Sequence, residues 1–197
     1  MTNNGKYCVS FHALKPTLRK ASLISGSNLF FKNVDKEDAS FILSLRTDNS
    51  KNKYLSKTAN DIDKQLEYID NYQQDNNQAY FIIQDKNNNK IGTVRLYSPI
   101  ENLFCWGSWI LVDGCNYYYS IESALMVYSY GLFLGFNGAY FDVRNHNLSV
   151  KKFHERFGAK IVRQDDVDTF YKIGYEDIMT SLVKYQKYLP NGIIVNV

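Results

Sequence analysis

Cysteine and proline are both scarce in this chain, three of each among 197 residues, and neither is spaced to organise a fold. Cys8, Cys105 and Cys115 are odd in number, show no paired zinc spacing and are too sparse for a disulfide framework. The expectation is a reducing, cytoplasmic setting with no bound metal. Neither sign of charge dominates. Twenty-three Lys and Arg offset 20 Asp and Glu, and the net charge of +3 is interspersed rather than striped, so nothing pushes toward nucleic acid or a membrane surface. No apolar run reaches the ~18 residues a membrane helix needs. The richest run, 124–136, is broken by Ser129, Gly131 and Gly135. The first 27 residues place Lys6, His12, Lys15, Arg19 and Lys20 among short apolar pieces, without the apolar centre of a signal peptide. Repeats and low-complexity tracts are absent.

Aromatic residues are abundant instead, with 16 Tyr and 12 Phe in a chain that is 45% hydrophobic. A length near the upper end of ~100–200 residues per domain is enough for one substantial core. The expected division is an N-terminal extension over 1–27, packing on the domain or on a second subunit as in a homodimer, followed by one domain over 28–197.

Hydrophobic periodicity and turn residues order the elements. A strand over 29–34 leads to a helix capped by Asp35 and running to Arg46. A polar loop over 46–57 follows, containing Arg46, Asp48, Asn49, Asn52, Tyr54 and Ser56. These residues suit substrate contacts and ordinary turn chemistry equally. Ile62, Leu66 and Ile69 mark a second helix, and the polar turn 85–90 joins strands 79–84 and 91–97 in a hairpin. A strand over 104–112 precedes a helix over 118–134 that is apolar on nearly every face, with Gly135 as its C-terminal cap. A strand over 139–143, a helix over 147–157, strands over 159–162 and 169–173 and a polar helix over 175–188 complete the chain. The step from 104–112 through the buried helix to 139–143 is a β–α–β unit and demands a parallel pair. The fold class expected is α/β (α+β): a mixed, mostly antiparallel sheet of six to seven strands, splayed at that pair, with helices on both faces.

Several side chains could carry chemistry. Asn147 and His154, seven residues apart, return to nearly the same face of one helix. Asn147 suits a helix N-cap, and His154 could pack between Phe153 and Phe157. On the strand before the buried helix, one of Trp106 and Trp109 could floor a pocket while the other fills the core, Trp109 being assigned to the core. Asp142 and Arg144 share a strand face and are expected to pair.

The segments Gly107-Ser108-Trp109-Ile110, Ile121-Glu122-Ser123-Ala124, Asp142-Val143-Arg144 and Asn147 to Ala159 resemble the Gcn5-related N-acetyltransferase (GNAT) superfamily, especially its ribosomal-protein-alanine acetyltransferase-like branch. The resemblance runs from residue 29 to about 173. Its clearest element is Asn147, Val150, His154, Gly158 and Ala159, at the intervals where that superfamily has Asn, a small or apolar residue, Tyr, Gly and Phe. It implies transfer of an acetyl group from acetyl-CoA to an amine. The pantetheine arm would lie along Ile110, Leu111 and Val112, with Asn147 and Val150 alongside. The diphosphate would sit at the start of the buried helix, near Tyr118, Tyr119 and Ser120, although three tyrosines replace the spaced glycines usual there. His154 takes the place of the Tyr that protonates the departing thiolate, and an imidazole titrating in the neutral range would do this. Cys105 stands where a Glu general base is frequent, and a thiol among apolar neighbours is a poor substitute. A water chain, Asp48, Glu101 or no base at all stay open, and none is assigned.

The acceptor implied is a small-molecule amine held by Arg46, Asp48, Asn49, Tyr54 and Trp106. Arg46-Thr-Asp-Asn with Tyr54-Leu-Ser resembles relatives that act on amino-sugar nucleotides. A protein N-terminus and a polyamine are the competing acceptors, and a non-catalytic acyl-CoA-binding or interaction module of the same fold is the competing class.

Overall fold

The computed structural model describes residues 15–48, 50, 54–55 and 58–197. Cys8, His12, Asn49, Asn52 and Ser56 lie outside the described residues. Nine strands form one sheet, in the order β7-β8-β6-β5-β4-β3-β2-β1-β9. They are β1 (Leu23–Ser25), β2 (Leu29–Asn33), β3 (Ala79–Asp85), β4 (Lys90–Ile100), β5 (Leu103–Leu111), β6 (Gly138–Arg144), β7 (Lys160–Gln164), β8 (Asp168–Gly174) and β9 (Ile194–Asn196). Every neighbouring pair is antiparallel except β5 and β6, which the intervening helix α3 (Tyr117–Phe133) forces to run parallel. The expected mixed sheet is therefore present, extended beyond β2 by two short strands, β1 and the edge strand β9. At three residues each, β1 and β9 are too short to show an alternation of their own, and they owe their form to each other and to β2.

Strand alternation divides the core in two. On one face Phe81, Ile83, Val94, Leu96, Phe104 and Trp106 pack with the buried side of α3. On the other, Tyr80 and Ile82 meet α1 (Ala39–Thr47) and α2 (Ile62–Gln74) through Ala39, Ile42, Ile69 and Tyr72. Leu18, Ala21 and Ile24, which precede the first expected strand, are buried in the larger core. The helix expected from Asp35 begins as a 3-10 turn, Lys36–Asp38, because Asp35 and Asp38 form a reciprocal capping box around it. α4 (Leu148–Arg156) ends at Gly158, whose φ of 93° lets the Ala159 amide reach back to the His154 carbonyl at 3.1 Å. α5 (Tyr175–Lys184) closes the helical layer against β8.

One buried charge ties α3 to the sheet. Glu122 is fully enclosed, and its carboxylate accepts hydrogen bonds from the Asn28 amide (2.5 Å), the Asn28 side chain (2.9 Å) and the Leu29 amide (3.1 Å). Gly26 permits this approach, since a Cβ there would lie 2.6 Å from Met126 Sδ and 2.9 Å from Glu122 Oε1. Glu122→Ala leaves buried donors unmatched and is expected to lower the unfolding free energy by roughly 2–4 kcal/mol in urea titrations. Glu122→Gln keeps one acceptor and should cost less.

Candidate active site

β5 and β6 pair only at Leu103/Gly138, Phe104/Ala139 and Cys105/Tyr140. Beyond Cys105, β5 continues to Leu111 and β6 to Arg144 without pairing, so the sheet opens between them. A bulge in β5 accompanies the opening. Against β4 the register jumps from Arg95/Gly107 to Thr93/Ile110, so Ser108 and Trp109 together oppose Val94. Ser108 takes a left-handed φ of 47°, and its carbonyl accepts the Thr93 hydroxyl at 2.8 Å. The extra residue resets the side-chain alternation. Trp106 and Trp109, three positions apart, consequently lie on one face with ring centroids 5.5 Å apart. Both line the opening: Trp106 is enclosed, 2% exposed, while Trp109 is half-buried against the core, donating Nε1–H to Ser123 at 3.1 Å.

A cavity of about 290 Å³ occupies the opening. Trp106, Trp109, Phe141, Val143, Asn147, Val150 and His154 wall it on the α4 face, and Arg46, Tyr54, Arg95, Tyr97, Asp142 and Arg144 on the other. A second cavity, about 340 Å³, adjoins it and shares Arg46, Arg95 and Ser108 as lining. Asp61, Lys64, Gln65, Tyr68 and Tyr80 also line that chamber, with Thr58 and Ala59. Arg95 stacks 4.0 Å from the Tyr97 ring and donates to the Tyr68 hydroxyl, so it is held between two aromatic side chains at the junction.

His154 is 4% exposed, its ring centroid 4.2 Å from Phe141, 5.2 Å from Trp106 and 5.5 Å from Phe153. Nδ1 is enclosed without a hydrogen-bond partner among the described residues. Burial with no compensating carboxylate pushes its pKa down to about 3. The expected neutral-range titration is therefore corrected: the imidazole is neutral at physiological pH, able to donate an N–H but not an imidazolium proton.

The remaining sequence candidates fall into three groups. Arg46, Tyr54, Trp106, Asn147, Val150 and His154 converge on the opening. Asn147 caps α4, its Oδ1 accepting the Val150 amide at 3.4 Å. Arg46 donates Nε–H to Thr58 at 2.7 Å, which anchors it across the α1–α2 loop. Ile110, Leu111, Val112, Tyr118, Tyr119 and Ser120 lie outside the cavity lining, along the end of β5 and the first turn of α3. Val112 already donates its amide to Ile91 at 2.9 Å, and Ser120 its hydroxyl to the Tyr117 carbonyl at 2.7 Å. Asp48 lines neither cavity and accepts from the Ser50 amide and hydroxyl, while Asn49 lies outside the described residues.

Two further expectations meet a definite outcome. Cys105 is buried, and desolvation pushes its thiol up to about 11, in keeping with its reading as a poor base. The expected Asp142–Arg144 pair is absent: Arg144 instead donates to both oxygens of Asp168, at 2.9 and 3.1 Å, because β8 runs beside β6 and sets Asp168 directly opposite. Sequence reading missed Arg95, Tyr97 and Lys64. The signal was present for the first two, which alternate with Val94 and Leu96 along a central strand where an arginine has no packing reason to stand.

A family profile described as an acetyltransferase (GNAT) domain matches residues 28–160. Among solved structures the chain is similar to apo FdhC, a nucleotide-linked sugar GNAT, with 36% identity and a TM-score of 0.76 over 88% of this chain and 99% of that one. It is similar in fold to a GCN5-related N-acetyltransferase from Brucella melitensis, with 13% identity, TM-score 0.73 and 89% of each chain covered. A spermidine N-acetyltransferase from Vibrio cholerae in complex with CoA and spermine shares 17% identity, at TM-score 0.69, over 77% of this chain and 98% of that one. No curated protein matches the chain in sequence.

The buried imidazole makes stability sensitive to acid. The unfolded His titrates near 6.5 and the folded one near 3, so between these values the unfolded chain binds a proton that the native state refuses. This contribution is intact above pH 6.5 and is lost as pH falls toward 3, amounting to about 2 kcal/mol by pH 5. His154→Phe should remove that much of the decline in unfolding free energy between pH 7 and 5, measured by denaturant titration at each pH.

Proposed function

Since the chain belongs to the GNAT acetyltransferases, we propose that it transfers the acetyl group of acetyl-CoA directly to the primary amine of a small molecule, an amino-sugar nucleotide in particular. The observation that carries this reading is the cavity at the β5/β6 opening, with the neutral His154 on one face and arginines on the other.

The residues present suit the thiol cosubstrate. From Trp106 onward the β5 edge facing β6 has no strand partner, which leaves backbone groups for amides such as those of a pantetheine arm. Asn116 precedes α3 without a side-chain cap bond, and a Cβ at Gly114 would meet nothing within 4 Å, so the helix start has room and open donors for a diphosphate. Ile110, Leu111, Val112, Asn147 and Val150 would flank the arm, with Tyr118, Tyr119 and Ser120 at the phosphates. Bound acetyl-CoA would supply an already activated thioester. Orientation and charge stabilisation can then provide most of the acceleration. His154 would donate its N–H toward the departing sulfur, acting as a neutral hydrogen-bond donor. The protonated Cys105 thiol offers no nucleophile, which favours direct attack by the amine.

The acceptor reading is supported by charge. Arg46, Lys64 and Arg95 line the larger cavity against the single carboxylate of Asp61, which caps α2 and pairs with Lys64 at 3.8 Å, so the lining keeps a net positive charge. Three cations suit a diphosphate and oppose a polyamine. The 36%-identical relative is itself described as a nucleotide-linked sugar GNAT. Tyr54 and Trp106 would border the amine end, and Asp48 would act only by holding the loop.

Isothermal titration should detect acetyl-CoA binding; none at millimolar concentration overturns the proposal. Asn147→Ala should weaken that binding. His154→Ala should lower kcat at least tenfold with acetyl-CoA affinity retained, and His154→Tyr should restore much of the rate. A charge-assisted contact is worth about 1.5–3 kcal/mol, so Arg46→Ala and Arg95→Ala should each raise the KM of a nucleotide-linked amino hexose by roughly 10–150-fold. Acetylation of peptides alone would exclude the sugar acceptor.

A further inference from the structure

An aliphatic amine arrives from neutral water as an ammonium, with no lone pair for attack, so some group at the opening must take a proton before a C–N bond can form. Most of the polar side chains there are unable to do so. Arg46, Arg95 and Arg144 are cations with nothing to accept a proton. Tyr97 and Cys105 are held protonated by burial. His154 lies on the α4 face and is too weak a base. Asp142 is the one carboxylate among the described residues that line the cavity.

We infer that Asp142 is the general base of the reaction, an assignment that rests on the transferase reading above. It stands on β6 two residues past Tyr140, the last residue paired with β5, and so on the open part of the strand. Alternation turns it to the face of Tyr140 and Arg144, away from the buried Phe141 and Val143. That is the face on which Arg95 and Tyr97 of β4 line the cavity. Arg144, its nearest cation on β6, is engaged by Asp168, and Asp142 forms no salt bridge among the described residues. Partial desolvation raises its carboxyl above the ordinary range even though the side chain stays exposed; Asp168 and Asp165 push the same way, and Arg144 and a backbone hydrogen bond oppose them. A carboxyl group so placed, open to solvent and beside the cavity, can accept a proton from an incoming ammonium.

The step balances. A carboxylate oxygen of Asp142 takes one ammonium proton, and the freed nitrogen pair forms the C–N bond at the thioester carbonyl. The C–S bond breaks with its electron pair on sulfur, and a second nitrogen proton goes to that sulfur to give the thiol. Asp142 then releases its proton to solvent. An ammonium and an acetyl thioester thus become an amide, a thiol and one proton.

The test is Asp142→Asn, which keeps the side chain's size and the β6–β8 backbone ladder. Thiol release is followed against pH with a nucleotide-linked amino hexose and, separately, with simple primary amines of graded basicity, while titration gives acetyl-CoA affinity. The variant should lose about 10²-fold in kcat/KM near pH 7. It should recover as pH passes the amine's own pKa, spare weakly basic amines and bind acetyl-CoA as before. A loss that is uniform in pH, or no loss, overturns the assignment while leaving the transferase reading in place. Wild-type protein that releases no thiol with any amine overturns both.

Discussion

The parting of β5 from β6 after three residue pairs is the constraint on which the rest of the structure depends. Strands in a sheet are held by backbone hydrogen bonds, and separating two of them inside a fold leaves polar groups that need other partners. Here β4 keeps hold of β5 on one side and β8 keeps hold of β6 on the other, so the opening is a gap within a sheet and not a frayed edge. The bulge at Ser108 bends β5 away, and its left-handed backbone is stabilised by the Thr93 hydroxyl on the neighbouring strand. A gap of that kind connects the two faces of the sheet. A cosubstrate lying against α4 and an acceptor lying against α1 and α2 can therefore meet.

The two sides of the gap differ in physical character, and burial explains the difference. Toward α4, Trp106, Trp109, Phe141 and Phe153 exclude water from His154 and keep the imidazole neutral. Toward α1 and α2, Arg46, Arg95 and Lys64 line a chamber of about 340 Å³. Charge is concentrated where a phosphorylated acceptor would enter and is nearly absent where sulfur would leave. A thiolate beside a neutral donor in an apolar wall is stabilised by one directed hydrogen bond, which the low local dielectric strengthens.

The similarity to proteins only 13–17% identical has a matching explanation. The fold is specified by a β–α–β crossover, a bulge and a helix ending at a left-handed glycine, and many side chains satisfy each of these. Tyr118 and Tyr119 open α3, whose first turn presents backbone amides whatever the side chains. The α1–α2 side of the opening has no such backbone template, and its character rests on side chains such as Arg46, Lys64 and Arg95.

By itself the sequence determined the order of the main elements, the parallel pair, the cap at Asn147 and the turn at Gly158. Each is written locally, in periodicity, turn residues or helical spacing, or in the likeness to a known superfamily. Only the tertiary structure decided the rest. The short strands β1 and β9 exist because segments as far apart as Leu23 and Asn196 come to pair beside β2. The shared face of Trp106 and Trp109 comes from a register jump against β4, which alternation along β5 alone cannot reveal. The neutrality of His154 is set by rings from β5, β6 and α4, and Arg144 turns to Asp168 because β8 folds back beside it. Protonation states and ion pairs depend on which distant residues arrive within a few ångströms, and that information belongs to the packing and not to any stretch of chain.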